Sequence, residues 1–179
     1  DEHIQESTLD HEKVLEIARS IGAVLIMSAC VDQANITACY VMEQLGLPTP
    51  YSYDTAKKIT NKGYMKKIMW ANDIPTSKYI SFTDIADDTD IGLNYPVVVK
   101  PADSCAATGV KKALTPKDMR RFLKEALNIS RNNCAVVEEF VEGVEVSAYC
   151  FVGKDKASVL AISQRLSVID GENKVLKCF

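Results

Sequence analysis

No apolar run in this sequence approaches the ~20 residues that a membrane-spanning helix needs, which argues against a membrane partner. The polar, acidic opening DEHIQESTLD also lacks the zoning of a targeting segment. Charge of one sign is missing as well. A formal net charge of −3 gives no footprint for a nucleic-acid backbone. The six cysteines, Cys30, Cys39, Cys105, Cys134, Cys150 and Cys178, form no CxxC pair and no Cys/His cluster of zinc type. Most sit in apolar runs, where a reduced cysteine packs as a small hydrophobe, and without a signal peptide or dense framework disulfides are not expected. There is no P-loop, no dinucleotide fingerprint, no internal repeat and no low-complexity stretch. What remains is a chain of 179 residues, 47% hydrophobic and 25% charged. That balance suits a soluble, cytoplasmic globular domain, or two small lobes, with enough apolar material for a core.

Apolar periodicity and punctuation order the chain. Asp10 is placed to cap a helix whose apolar face is Val14, Ile17, Ala18 and Ile21, and Gly22 ends it. Ala23 to Met27 reads as a short buried strand. A second helix spans roughly Gln33 to Leu45 and stops at Gly46. Leu47 to Tyr51, with two prolines, is a connector. Two helical pieces follow from Asp54. The second opens at Asn61 and is expected to bury Met65, Ile68 and Met69. Ser77 to Phe82 is a strand, Asp84 to Asp90 a solvated helix end and loop, and Val97 to Lys100 a strand closed by Pro101. The clearest helix starts at Thr115 with Pro116 in its first position and presents Met119, Phe122, Leu123, Ala126 and Leu127 on one face. Strands then dominate, at Ala135 to Val141, Val144 to Val152 and Ala157 to Arg165, with a turn at Gly153 to Asp155. Val175 to Phe179 carries no terminating signal, and both ends read as cut.

Four places could carry chemistry. Lys100 closes an apolar strand and precedes a loop of small residues, where its charge is costly without a partner. A phosphate would serve as that partner; a snorkelling surface lysine is the plainer alternative. The loop from Ala102 to Gly109 has small side chains that let backbone N–H groups approach phosphate oxygens, or it is an ordinary hairpin loop. Glu138 and Glu139 interrupt an apolar strand and point to opposite faces. The one turned from solvent needs a donor such as an adenine amino group, and Glu145, past the turn at Gly143, could accept from vicinal ribose hydroxyls. The alternative for these carboxylates is edge-strand charge that discourages aggregation. Lys62 opens a helix against the macrodipole, which suits either a nearby anion or plain solvation.

Taken in order, these residues resemble the ATP-grasp superfamily, in the style of carbamoyl-phosphate-synthase large chains and biotin-carboxylase-type ligases. The resemblance runs through Asn61 and Lys62, Asn72 to Pro75, Tyr95 to Pro101, the loop to Gly109 and Val110, and Val137 to Glu145. Ile21 to Pro48, with Val31, Asp32 and Glu43 to Pro48, looks like the last part of the pre-ATP-grasp domain of such enzymes. The implied fold class is α/β and α+β: residues 1–52 end a pre-ATP-grasp α/β domain. Residues 53–179 form an ATP-grasp small lobe and the start of the second lobe, cut before the metal site.

The resemblance implies that Lys62 and Lys100 contact ATP phosphates and that Ser104 to Gly109, with Thr108, closes over them as a flap. It implies that Glu138 receives the adenine amino group, that the backbone of Glu139 to Val141 faces the adenine edge, and that Glu145 binds ribose. Arg165 falls near a position that is basic in some relatives. Small carboxylate and amine substrates are implied, joined through an acylphosphate. Mg2+ is expected for the full-length protein, with ligands outside this chain and no metal ligand within it. The loop departs from the pattern: it has fewer glycines, which loses access to positive φ, and Thr108 stands where relatives often carry a cation. A non-catalytic nucleotide-binding or scaffolding module, or a plain α/β domain, is the rival reading. An incomplete second lobe exposes apolar surface, which points to homo-oligomer formation.

Overall fold

Side-chain caps set where most of the early helices begin. The computed structural model describes residues 3–28, 31–85, 91–105, 107–153, 155–164, 167–169 and 175–178. Helix α1 (His11–Ser20) starts at Asp10, whose carboxylate accepts from the Lys13 amide at 3.0 Å. Helix α2 (Asp32–Leu45) ends at Gly46 with φ +66°, the left-handed cap that only glycine adopts without strain. Ser52 caps α3 (Tyr53–Ile59) and Asn61 caps α4 (Lys62–Ala71). Leu15, Ala18 and Val41 form a small core between α1 and α2.

Ala23 to Met27, expected as a buried strand, is not one. It carries no strand, and Val24 and Met27 are 80% and 81% exposed. A strand needs a neighbour to take its N–H and C=O groups, and no described strand pairs with this run.

The main sheet joins β1 (Tyr79–Phe82), β2 (Val97–Pro101), β3 (Lys111–Ala113) and β4 (Ala135–Glu139) in the order β1-β4-β2-β3, with every pairing antiparallel. Register fixes the faces. Val97, Val99, Ala113, Ala135 and Val137 lie on one side, covered by Met119, Leu123, Ala126 and Leu127 of α5 (Pro116–Ile129). The expected face of α5 is the observed one, with Phe122 at its margin, and Thr115 caps the helix as expected. Tyr79, Ser81, Val98, Lys100, Lys112, Val136 and Glu138 share the opposite side, against which α4 packs.

Helix α4 corrects a second expectation. Its buried residues are Gly63 and Lys66, while Met65 and Ile68 are about two-fifths exposed (41% and 40%) and Met69 is half-buried. Gly63 decides this. A Cβ there would sit 2.8 Å from Ser81 Oγ, so its bare Cα lets α4 lie against the sheet and turns the apolar residues outward.

Residues 1–140 form one compact unit and 141–179 a second. The second unit contains a hairpin of β5 (Val146–Val152) and β6 (Ala157–Gln164), bulged between Tyr149 and Cys150, and a pair formed by β7 (Ser167–Ile169) and β8 (Val175–Cys178). Arg165 and most of the Asp84 to Asp90 run lie outside the described residues. No described helix is long and apolar enough to cross a membrane.

A candidate nucleotide site on the sheet face opposite α5

Four ionic groups meet on the sheet face that α4 covers. Glu138 leaves β4 there, with its side chain 13% exposed, and both its oxygens are engaged. Oε1 accepts from Lys100, at the end of β2. Oε2 accepts from Lys66 of α4 at 2.6 Å and from the Ser77 hydroxyl at 3.1 Å. Lys66 also donates to Thr76 Oγ1 at 2.7 Å and Ser77 Oγ at 2.8 Å. Burial alone would push the Glu138 carboxyl up; the hydrogen bonds from Lys100 and Lys66 outweigh it and hold the group below the usual carboxylate range.

Lys62 begins α4 one turn before Lys66. Its ammonium donates to the carbonyl of Ser104, and its amide donates to the Ala102 carbonyl at 2.8 Å. Burial, aided by the charge of Lys100, lowers its pKa. Two ammonium groups, Lys66 and Lys100, thus share one carboxylate, and a third, Lys62, is near enough for the charge of Lys100 to act on it. Asp103 and Asp32 act on Lys62 only through space. Such a cluster is costly to keep dry and favours an anion.

The loop after β2 is folded on itself. Ser104 Oγ donates to the Thr108 carbonyl at 2.9 Å, and the Thr108 amide donates to the Cys105 carbonyl at 3.0 Å. Gly109 holds φ +74°, and a Cβ there would lie 2.9 Å from both Pro101 Cγ and Ile129 Cδ1. The base of the loop is tied to the sheet: the Ala102 amide donates to the Cys134 carbonyl at 2.9 Å, and the buried Asp103 carboxylate accepts from the Asn132 amide at 3.1 Å.

The structure therefore brings Lys62, Lys100, Ser104, Thr108, Gly109 and Glu138 into one region of the first unit. Glu139 lies on the α5 side, where its carboxylate accepts from the backbone and side-chain nitrogens of Asn94, both at 2.9 Å. Its own amide donates to Lys78 O at 2.9 Å and that of Phe140 to Pro96 O at 3.0 Å. Val141 and Glu145 belong to the second unit and are exposed.

Sequence reasoning missed Lys66. It lies four residues after Lys62, and that spacing puts both on one helix face. A cavity of about 1000 Å3 runs along the β1 edge, lined in part by Lys57, Lys67, Trp70 and Tyr79. Lys62, Lys66, Lys100 and Glu138 do not line it. The ionic cluster is the stronger site candidate, because buried charge needs a reason and a surface cleft does not.

Comparison with known protein families matches residues 60–175 to "Phosphoribosylglycinamide synthetase, ATP-grasp (A) domain". A phosphoribosylamine–glycine ligase of Halalkalibacterium halodurans is 29% identical over 93% of this chain and 41% of its own length. A carbamoyl phosphate synthase large chain of Pyrococcus furiosus is 25% identical over 80% of this chain and 14% of its own. Among solved structures, an L-amino acid ligase from Bacillus licheniformis aligns with TM-score 0.72 at 22% identity, covering 87% of this chain and 37% of that one; this likeness is one of fold. The chain thus spans well under half the length of each of these proteins.

Proposed function

Because this chain belongs to the family of the phosphoribosylglycinamide synthetase ATP-grasp (A) domain, we propose that it is the ATP-binding portion of an ATP-dependent carboxylate–amine ligase. The observation that carries the proposal is the excess of ammonium groups on one sheet face, Lys66 and Lys100 on Glu138 with Lys62 held on the Ser104 carbonyl, beside a loop of small residues. The residues fit a polyphosphate. Lys62 and Lys100 supply point charges and N–H donors to phosphate oxygens. Gly109 has no room for a side chain, which packs the end of the loop against Pro101 and Ile129 beside the cluster. Ser104 and Thr108 lie in the same loop and would close over the phosphates.

When bound, ATP supplies the γ-phosphoryl group that turns a carboxylate into an acylphosphate open to attack by an amine. This chain's part is to hold and orient the triphosphate and to offset its charge. The adenine base and ribose are assigned to Glu138, the backbone from Glu139 to Val141, and Glu145. Mg2+ would accompany the nucleotide, with ligands beyond this chain. Among the described residues no group of three or more His, Cys, Asp and Glu is placed to hold a metal ion.

A carbamoyl-phosphate-synthase-like ligation is the finer reading. Its support is the match to the archaeal large chain, which the match to the glycine ligase equals. A cytoplasmic setting is supported by Cys39, Cys105, Cys134 and Cys150, all free thiols. Exposed Val146, Phe151, Leu160 and Ile162 on the β5–β6 hairpin support a homo-oligomer.

The test is calorimetric titration of the whole protein with ATP, with GTP as control, and of a Lys100→Ala variant. We expect saturable, ATP-selective binding that weakens about 30-fold or more in the variant, which stays folded because Lys66 remains on Glu138. Equal affinity in the variant would remove Lys100 from the phosphate site.

A further inference from the structure

We infer that Lys66 is a positioning residue for nucleotide binding, a standing counter-ion that keeps Glu138 charged and in place while Lys100 leaves it for a phosphate. The inference rests on the ATP-binding reading above and concerns a residue that the reading does not assign.

The two oxygens of Glu138 are held differently. Oε2 is fixed by the scaffold, through Lys66 at 2.6 Å and the Ser77 hydroxyl at 3.1 Å. Lys66 is itself pinned: its three N–H donors meet Thr76 Oγ1, Ser77 Oγ and Glu138 Oε2 within 2.8 Å, and its side chain is 11% exposed. Those donors are saturated, so Lys66 has none to spare for a ligand. Oε1, in contrast, takes Lys100, which stands at the end of β2 beside the loop. Lys100 is thus the cation that can change partners, and Lys66 the one that cannot.

The energetics make the pair matter. If Glu138 had only Lys100, moving that lysine to a phosphate would strand a largely buried carboxylate, which is strongly unfavourable. Glu138 would then keep Lys100 or take up a proton. With Lys66 and Ser77 in place it does neither. The other groups on this face are Lys62 at the start of α4, Lys112 of β3, whose ammonium lies 3.5 Å from the Phe140 ring centroid, and Tyr79 of β1, opposite Glu138. None of them has a hydrogen bond to Glu138 that could replace Lys66.

The experiment is ATP titration of the whole protein in two buffers of different ionisation enthalpy, which reads proton uptake as well as affinity. The unsubstituted protein is compared with Lys66→Met, Glu138→Gln, the double variant and Lys66→Arg. Relative to the unsubstituted protein, Lys66→Met should bind ATP about tenfold more weakly at neutral pH. It should take up close to one additional proton per ATP, delivered from buffer to the Glu138 carboxylate, and regain affinity as pH falls. Lys66→Arg should restore the unsubstituted pH profile. In the Glu138→Gln background, Lys66→Met should change affinity little, because the two act as a unit. Weakening of the same size in that background, or no extra proton uptake, would overturn the inference and leave the ATP reading standing. Absence of ATP binding by the unsubstituted protein would overturn both. If Lys66→Met does not fold, Ser77→Ala takes its place: a smaller shift in the same direction is expected, and none would contradict the proposal.

Discussion

Glu138 shows how much one side chain can organise. It ties α4, the segment before β1, and β2 to β4 through Lys66, Ser77 and Lys100. Replacing it with Gln removes, among the described residues, the only carboxylate hydrogen-bonded to two partly buried cations. We expect Glu138→Gln to destabilise the fold by about 3 kcal/mol at neutral pH, measured by urea unfolding. The pH dependence follows from the sign of its shift. The folded-state carboxyl titrates below its unfolded value, so its contribution is whole above the ordinary carboxylate range and is lost as pH falls through the folded pKa. The gap between Glu138→Gln and the unsubstituted protein should therefore close in acid. At Gly109, φ +74° and the contacts with Pro101 and Ile129 act together, and Gly109→Ala should cost about 1–3 kcal/mol in the same assay. The sequence made Lys100 and Glu138 legible separately, as charges interrupting apolar strands. That they satisfy each other was not legible, because pairing across β2 and β4 depends on register, and a one-residue slip would have parted them.

At the scale of elements, legibility followed the agreement between local signals and packing. In α5 the cap, the proline and the apolar stripe all point one way, and the helix lies as its periodicity predicts. In α4 the apolar residues and the small one compete, and the close approach at Gly63 wins. This gives a sign-changing prediction. Gly63→Ala alone should be destabilising, since its Cβ would press on Ser81 Oγ at 2.8 Å. In a Ser81→Ala background, with the hydroxyl removed, the same change should stabilise by up to about 1 kcal/mol, the ordinary helix preference for alanine over glycine. Thermal or urea unfolding of the four proteins decides it. The apolar run from Ala23 to Met27 had strand composition, but strand formation is a property of pairs, and composition alone carries no partner.

At the scale of the whole molecule, the first unit presents one sheet face to a hydrophobic core and the other to a cluster of ammonium groups. That division, with apolar packing behind the sheet and charge before it, is how a small lobe can stay folded while offering the anion site proposed above. The family match covers the lobe and runs into the second unit. The most direct test of this account is amine-reactive footprinting of the whole protein with and without ATP, read by mass spectrometry. Lys62 and Lys100 should be protected by ATP, Lys66 should react slowly in both states because its donors are engaged, and exposed Lys117 and Lys124 on α5 should not change. ATP-independent reactivity at Lys62 and Lys100, in protein that binds ATP, would contradict the assignment of this face as the phosphate site.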